Sequence, residues 1–364
     1  MNIPFFELKR QAKILKDEIL KELEKIIDSC EFSLGSAVEE FERNFANYLN
    51  VKYVIGLNNG TSALHLAMRA LDIKEGDEVI LPSLTFIATA WCVSYVGAKP
   101  VFVDVDEETW QISPEDVKKK ITKNTKAIIG VHLYGQPFDI KKIMDIAKEY
   151  NLHLIEDCAQ AHGAEYYNKK VGTFGIINTF SFYPTKNLGS YGEAGAISTN
   201  DENIANRIKI LRNQGQIKKY EHIEIGYNMR MEGFQGAVLN VKLKYLDKWN
   251  NRRIEIANRY LNEIKNPKIA FQKLVEGSKG VYHLFVIKVK DRDKFVSHLE
   301  KFKIGYAFHY PKPIHLQKAY SFLGYKEGSL PITEELTKTT ISIPIFPELT
   351  DEEVDYIIKA LNEY

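Results

Sequence analysis

Between about residues 50 and 200 the chain alternates short β-type runs with amphipathic helical stretches, and this alternation narrows its fold more than any other feature. The strand candidates are YVIGL (53–57), DEVILP (77–82), KPVFVDVD (99–106), KAIIGVHLYG (126–135), LHLIEDC (152–158) and NTFSFY (178–183). Between them lie helical segments such as TSALHLAMRAL (61–71) and DIKKIMDIAKEY (139–150). Short apolar runs joined through helices predict an α/β fold with a mainly parallel sheet covered on both faces. Ligands of such sheets sit at the carboxyl ends of the strands, so the chemistry is to be sought just past each run.

The rest of the chain reads differently. GFQGAVLNVKLKYLDKWNNRRIEIANRYLNEI (233–264) has helical periodicity and predicts one long helix or two in tandem. VYHLFVIKV (281–289), a helix near 292–302, the segment IGYAFHYPKPIH (304–315) and a last helix from about 351 predict a smaller α+β domain. We therefore expect a large domain over 1–245, including an N-terminal helical segment, and a small one over 246–364. A chain of 364 residues is long enough for both. Its 49 basic and 48 acidic residues leave a net charge of +1, which removes the electrostatic argument for nucleic acid or a membrane surface as partner. No run approaches the ~20 apolar residues of a membrane span, and MNIPFFELKRQ has charges where a signal peptide needs its apolar stretch. Cys30, Cys92 and Cys158 show no CxxC spacing, so neither a disulfide framework nor a cysteine zinc site is expected, and the reducing cytoplasm is the expected compartment.

Four strand ends carry residues with chemistry. After YVIGL comes NNGTSALHLAMRAL, where Gly60, Thr61 and Ser62 open a helix whose amides, hydroxyls and positive dipole end suit a phosphate. An ordinary capped helix would look the same, and the chain has neither GxxxxGKS/T nor GxGxxG opening its first strand–helix unit. LIEDCAQAHGA places Asp157 at the end of an apolar strand, with Gln160 and His162 following. That carboxylate could pair with a cationic ring nitrogen, cap a turn or bind Mg²⁺. With no HExxH and no cluster of His and Cys ligands, no metal is expected. Phe86 lies just past Leu81–Pro82, and FSFYPTKNLG delivers Lys186 to a Pro-Thr turn. Alone, each has a plain structural explanation. Together they supply what pyridoxal 5'-phosphate needs: an anchor for its phosphate, a flat partner for its ring, a carboxylate to keep the pyridine nitrogen protonated, and a lysine for its aldehyde.

The stretches FELKRQ, EFERNFANYLNVKYVIGLNNGTSALHLAM, PSLTFIATA, GAKPVFVDVD, IEDCAQAHGA, FSFYPTKNLGSYGEAGAIST and GYNMRM resemble, in order and spacing, the sugar-aminotransferase branch of the aspartate aminotransferase fold, the DegT/DnrJ/EryC1/StrS family. The resemblance implies a PLP-dependent transferase of fold type I. It makes Lys186 the lysine joined to the cofactor aldehyde and Asp157 the partner of the pyridine nitrogen. Gln160 would meet the phenolic edge, Phe86 the ring face, and Thr61, Ser62 and Ser181 the phosphate. Asn228 would reach a phosphate in the other subunit of a homodimer with shared active sites. L-glutamate would give its amino group, leaving pyridoxamine 5'-phosphate and 2-oxoglutarate, and a nucleotide-linked keto sugar would receive it, with Lys186 shuttling the proton.

FYPTKNLGSYGEAGA, with Tyr183, looks more like the family's C3-aminating enzymes, which implies conversion of dTDP-3-keto-6-deoxyhexose to dTDP-3-amino-3,6-dideoxyhexose for a surface glycan. Tyr183, His309 and His315 are then candidate substrate contacts, although both histidines could equally be loop side chains satisfied by the backbone. Three other readings share the scaffold. A C4 aminotransferase acting on a UDP- or GDP-4-keto-6-deoxysugar would keep the same cofactor residues. A sugar dehydratase would carry histidine in place of Lys186, and a non-catalytic regulator would not need Lys186, Asp157 and the phosphate cradle together.

Overall fold

In the computed structural model, which describes residues 1–364, the expected runs assemble into one seven-stranded sheet. In chain order its strands are β1 (Tyr53–Leu57), β2 (Glu78–Pro82), β3 (Lys99–Val103), β4 (Thr125–Val131), β5 (His153–Asp157), β6 (Ile177–Ser181) and β7 (Gly195–Thr199). Their spatial order is β1-β7-β6-β5-β4-β2-β3. The pairs among β2 to β6 are parallel, while β7 runs antiparallel to both β1 and β6. Six strands therefore point one way, and their carboxyl ends share one edge.

Strand side chains alternate between faces, and here both faces are apolar. Leu81, Ile129 and Ile155 belong to one buried cluster with the helix Gly60–Ala70, whereas Ile80, Ile128 and Leu154 belong to another with Phe41, Phe45 and Phe138. Burial on both sides explains why these strands read as unbroken apolar runs.

Two differences from the sequence expectation shape the site. GAIST, now β7, was not among the expected strands, yet it sits between β1 and β6 and aligns Gly195 with both Leu57 and Ser181. The run KAIIGVHLYG ends as a strand at Val131 and turns through Tyr134 (φ 65°) and Gly135 (φ 92°). A Cβ on Gly135 would lie 2.7 Å from the His283 amide, so glycine is required at that close approach. The stretch 233–264 takes the second of its two expected forms, two helices in tandem, Gly233–Leu243 and Leu246–Glu263.

Beyond them, β8 (Ile269–Phe271), β9 (Phe285–Val289) and β10 (Thr340–Ile343) form an antiparallel three-stranded sheet in that order. The helices Arg292–Lys301 and Asp351–Asn362 enclose its own apolar cluster. The first residues of the chain join this part: Ile3 bridges Ile304, and Arg10 makes a two-pronged pair with Glu353 at 2.7 and 2.6 Å. No helix is long and apolar enough to cross a membrane.

Candidate active site

The carboxyl-end edge of the large sheet opens into a cavity of about 820 Å³, closed on its far side by residues 283–284 and 309–310. β1 delivers the first group. Asn59 caps the helix Gly60–Ala70, its Oδ1 accepting the Ser62 amide at 2.7 Å. The amides of Gly60 and Thr61 have no partner within the chain, and both residues line the cavity with Ser62. Free amides at a helix start form an anion site. Ser181, at the end of β6, faces them across a gap only glycine permits: a Cβ on Gly60 would lie 2.6 Å from the Ser181 Cβ. Overpacking of this kind costs about 1–3 kcal/mol. Gly60→Ala is therefore expected to weaken pyridoxal phosphate binding by roughly tenfold or more, measured by fluorescence titration of the cofactor-free protein.

β5 delivers a carboxylate pair with divided roles. Successive residues of a strand face opposite ways. Glu156 points away from the cavity and is fully engaged, accepting from His132 Nε2 (2.9 Å) and the amides of Gly172, Phe174 and Gly175. Asp157 points into it. Its Oδ2 accepts from the Thr89 hydroxyl at 3.0 Å and its Oδ1 from the Ala159 amide at 3.2 Å. It makes no ion pair within 4 Å. Burial pushes its carboxyl above the usual aspartate range, against the opposing pull of these hydrogen bonds and of Lys186.

Lys186 closes the turn after β6, its amide donating to the Tyr183 carbonyl at 2.8 Å. Its amine lines the cavity with no hydrogen-bond or ion-pair partner in the chain. Burial lowers its pKa to about 8 despite the nearby charge of Asp157. Tyr183 lies at the mouth, 48 % exposed. Gln160 is held at both ends: Oε1 accepts the Tyr134 amide (2.7 Å), and Nε2 donates to the Tyr310 hydroxyl (3.1 Å). The turn that ends β4 early is what positions that amide. Phe86 is 50 % exposed and stands 5.9 Å from the Tyr310 ring. His309 also lines the cavity, its Nδ1 2.9 Å from Ser342 Oγ, and burial followed by Lys186 lowers its pKa to about 4.

Two expected residues lie elsewhere. His315 does not reach the cavity, which corrects its assignment as a substrate contact. It is buried between Ser83 Oγ (2.7 Å from Nδ1) and Glu334 Oε1 (3.1 Å from Nε2), and ties the loop after β2 to the C-terminal segment. Asn228 is exposed, bridges Asn213 by its backbone and does not line this chain's cavity. Conversely, Thr89, Glu193, His283 and Tyr310 line the cavity without having been singled out. Thr89 alone had a local signal, falling one helical turn after Phe86.

These groups fit pyridoxal phosphate. A buried carboxylate without a counterion suits a cationic ring nitrogen, a partnerless amine of lowered pKa suits an aldehyde, and two free amides beside Thr61, Ser62 and Ser181 suit a phosphate.

Comparison with known proteins agrees. A transaminase of Aneurinibacillus thermoaerophilus, described as dTDP-3-amino-3,6-dideoxy-alpha-D-galactopyranose transaminase, is 47% identical over 362 residues, covering 100% of this chain and 99% of that protein. A Geobacillus stearothermophilus protein described as a pleiotropic regulatory protein is 42% identical over 367 residues, with coverage of 100% and 99%. The crystal structure of S. venezuelae DesV superposes with a TM-score of 0.98 at 40% identity, covering 100% of this chain and 98% of that one. A family model matches residues 13–362, and the chain belongs to the DegT/DnrJ/EryC1/StrS aminotransferase family.

Proposed function

We propose that this aminotransferase moves an amino group from L-glutamate to C3 of a dTDP-linked 3-keto-6-deoxyhexose in the cytoplasm, for surface-glycan synthesis. The observation that carries the reading is the Lys186 amine in one cavity with the buried, counterion-free Asp157. The activity described for the 47% identical relative supports the C3 position and the nucleotide.

Pyridoxal phosphate, the family's cofactor, supplies an electron-poor ring that stabilises charge on the carbon losing its proton. The chain's own residues do the rest. Gly60, Thr61, Ser62 and Ser181 hold the phosphate. Asp157, its two oxygens fixed by Thr89 and Ala159, would pair with the ring nitrogen. Gln160, already tied to Tyr134 and Tyr310, keeps one N–H for the phenolic oxygen. Phe86 and Tyr310, which line the cavity side by side, would cover the ring and exclude water. Lys186 Nζ would take a proton from the carbon that carries the amino group and return it to the carbon on the other side of that nitrogen. A pKa of about 8 suits it to both directions near neutral pH. Tyr183 and His309 meet the sugar, and Asn228 reaches the phosphate of a partner subunit in a homodimer.

The absorbance of the cofactor-loaded protein is expected to change on addition of L-glutamate and to return with 2-oxoglutarate. A spectrum indifferent to glutamate sinks the transaminase reading and favours a regulator, which the Geobacillus relative's description keeps in view. Incubation with dTDP-3-keto, dTDP-4-keto and UDP-4-keto sugars, with NMR location of the new amine, tests the position. An amine at C4 replaces the C3 assignment.

A further inference from the structure

His283 lines the cavity with Lys186, and no step above uses it. Its hydrogen bonds determine which ring nitrogen carries the proton. Asn250 Nδ2 donates to the His162 carbonyl (2.8 Å), so Asn250 Oδ1 is the acceptor for an N–H of Asn187 (2.9 Å). The second N–H of Asn187 donates to the Val281 carbonyl (3.1 Å). Two carbonyls that can only accept thus fix both amides. Asn187 Oδ1 is left facing His283 Nδ1 at 3.1 Å, and Nδ1 must carry the hydrogen. The other tautomer would set two lone pairs against each other in a buried place.

Burial holds the imidazole well below its usual pKa, and Lys186, Arg253, His309 and His162 push it further the same way. The ring is neutral, and no group of the chain bonds its Nε2. Arg253 holds the surrounding backbone through the carbonyls of Tyr282 (3.2 Å), His283 (3.4 Å) and Ile345 (2.8 Å). The side chain that orients the imidazole belongs to Asn187, the residue directly after Lys186.

Resting on the transaminase reading, we propose that His283 is a positioning residue for Lys186, its Nε2 accepting a hydrogen bond from the Lys186 Nζ group and holding it in line with the carbon it serves. The lone pair is aimed by a chain of amides that ends on two backbone carbonyls, so an oriented acceptor awaits the lysine amine when it turns toward His283 during the reaction.

Two substitutions separate the two nitrogens. His283→Asn keeps a donor for Asn187 and removes the acceptor at Nε2. His283→Gln removes the donor and returns an amide oxygen near the Nε2 position. A hydrogen bond to a charged group supports a rate effect of about ten- to a hundredfold. His283→Asn is expected to slow the glutamate half-reaction by that factor, with the thermal midpoint of the cofactor-free protein little changed, and His283→Gln to recover part of the loss. An acceptor favours the ammonium form, so its loss is expected to move the Lys186 titration below the wild-type midpoint, read from the pH dependence of pyridoxal phosphate capture. In ¹⁵N-histidine NMR of the cofactor-free protein, His283 is expected to carry its proton on Nδ1 and to stay neutral from about pH 6 to 8. A proton on Nε2, or a His283→Asn variant with wild-type rate and titration midpoint, overturns the proposal. If the wild type itself ignores glutamate, the transaminase reading falls, while the NMR tautomer and the capture midpoint still decide the role of His283.

Discussion

Lys186→Ala is expected to lower glutamate-dependent amino transfer by about 10³-fold or more, because it removes both a covalent attachment point and the general acid–base. The cradle at Gly60–Ser62, Asp157 and the Phe86 ring remain, so the variant should still bind pyridoxal phosphate. After borohydride treatment, mass spectrometry should find the cofactor on Lys186 of the wild type and on no residue of the variant. Turnover at the wild-type rate in Lys186→Ala would end the assignment. The depressed pKa gives a second expected result. Burial disfavours the ammonium form, so the neutral amine prevails above pH 8 and is lost as pH falls. Capture of pyridoxal phosphate by the cofactor-free wild type should therefore slow about tenfold for each pH unit below that midpoint and level off above it.

Why Lys186, Asp157 and Phe86 were legible in the sequence as residues of one cavity, while their partners from distant segments were not, follows from the range of the forces involved. β1 to β6 are continuous apolar runs because both faces of the sheet are buried, and the strand-end rule for parallel sheets then points to Asp157, Phe86 and Lys186. β7 escaped because GAIST is short and rich in small residues, and its place is set by pairing with β1 and β6 rather than by local preference. His309 and His315 share one segment and the same residue type. Only distant partners, Ser342 for one and Ser83 with Glu334 for the other, separate a cavity residue from a buried strut. The Asn187–His283 and Asn187–Asn250 bonds span 96 and 63 residues, and no periodicity encodes them. Asn228 does not line its own chain's cavity, and the role proposed for it lies in an assembly that no single chain displays.

Asp157→Asn is expected to produce opposite effects on rate and stability. The amide has the carboxylate's shape, and the site can accommodate it without rearrangement. The Ala159 amide requires an oxygen, so the new NH₂ must face Thr89. Thr89 can accept it by turning its own hydroxyl toward Thr85 Oγ1, 3.1 Å away. What disappears is the charge. In the cofactor-loaded protein, removing one member of a buried ion pair costs about 3–5 kcal/mol, or roughly 10²- to 10⁴-fold in amino-transfer rate if that loss falls on the transition state. In the cofactor-free protein the same carboxylate is buried without a counterion, so the variant should be at least as stable as the wild type. The pH dependence discriminates further. Because burial raises this carboxyl's pKa in the folded state, its contribution to stability falls as pH rises from the usual aspartate range through the raised value. Thermal melts of the cofactor-free proteins across that range should show this decline in the wild type and not in Asp157→Asn. A near-normal amino-transfer rate in the variant would mean that another group keeps the ring nitrogen protonated. A destabilised cofactor-free variant would mean that the carboxylate serves the fold rather than the cofactor.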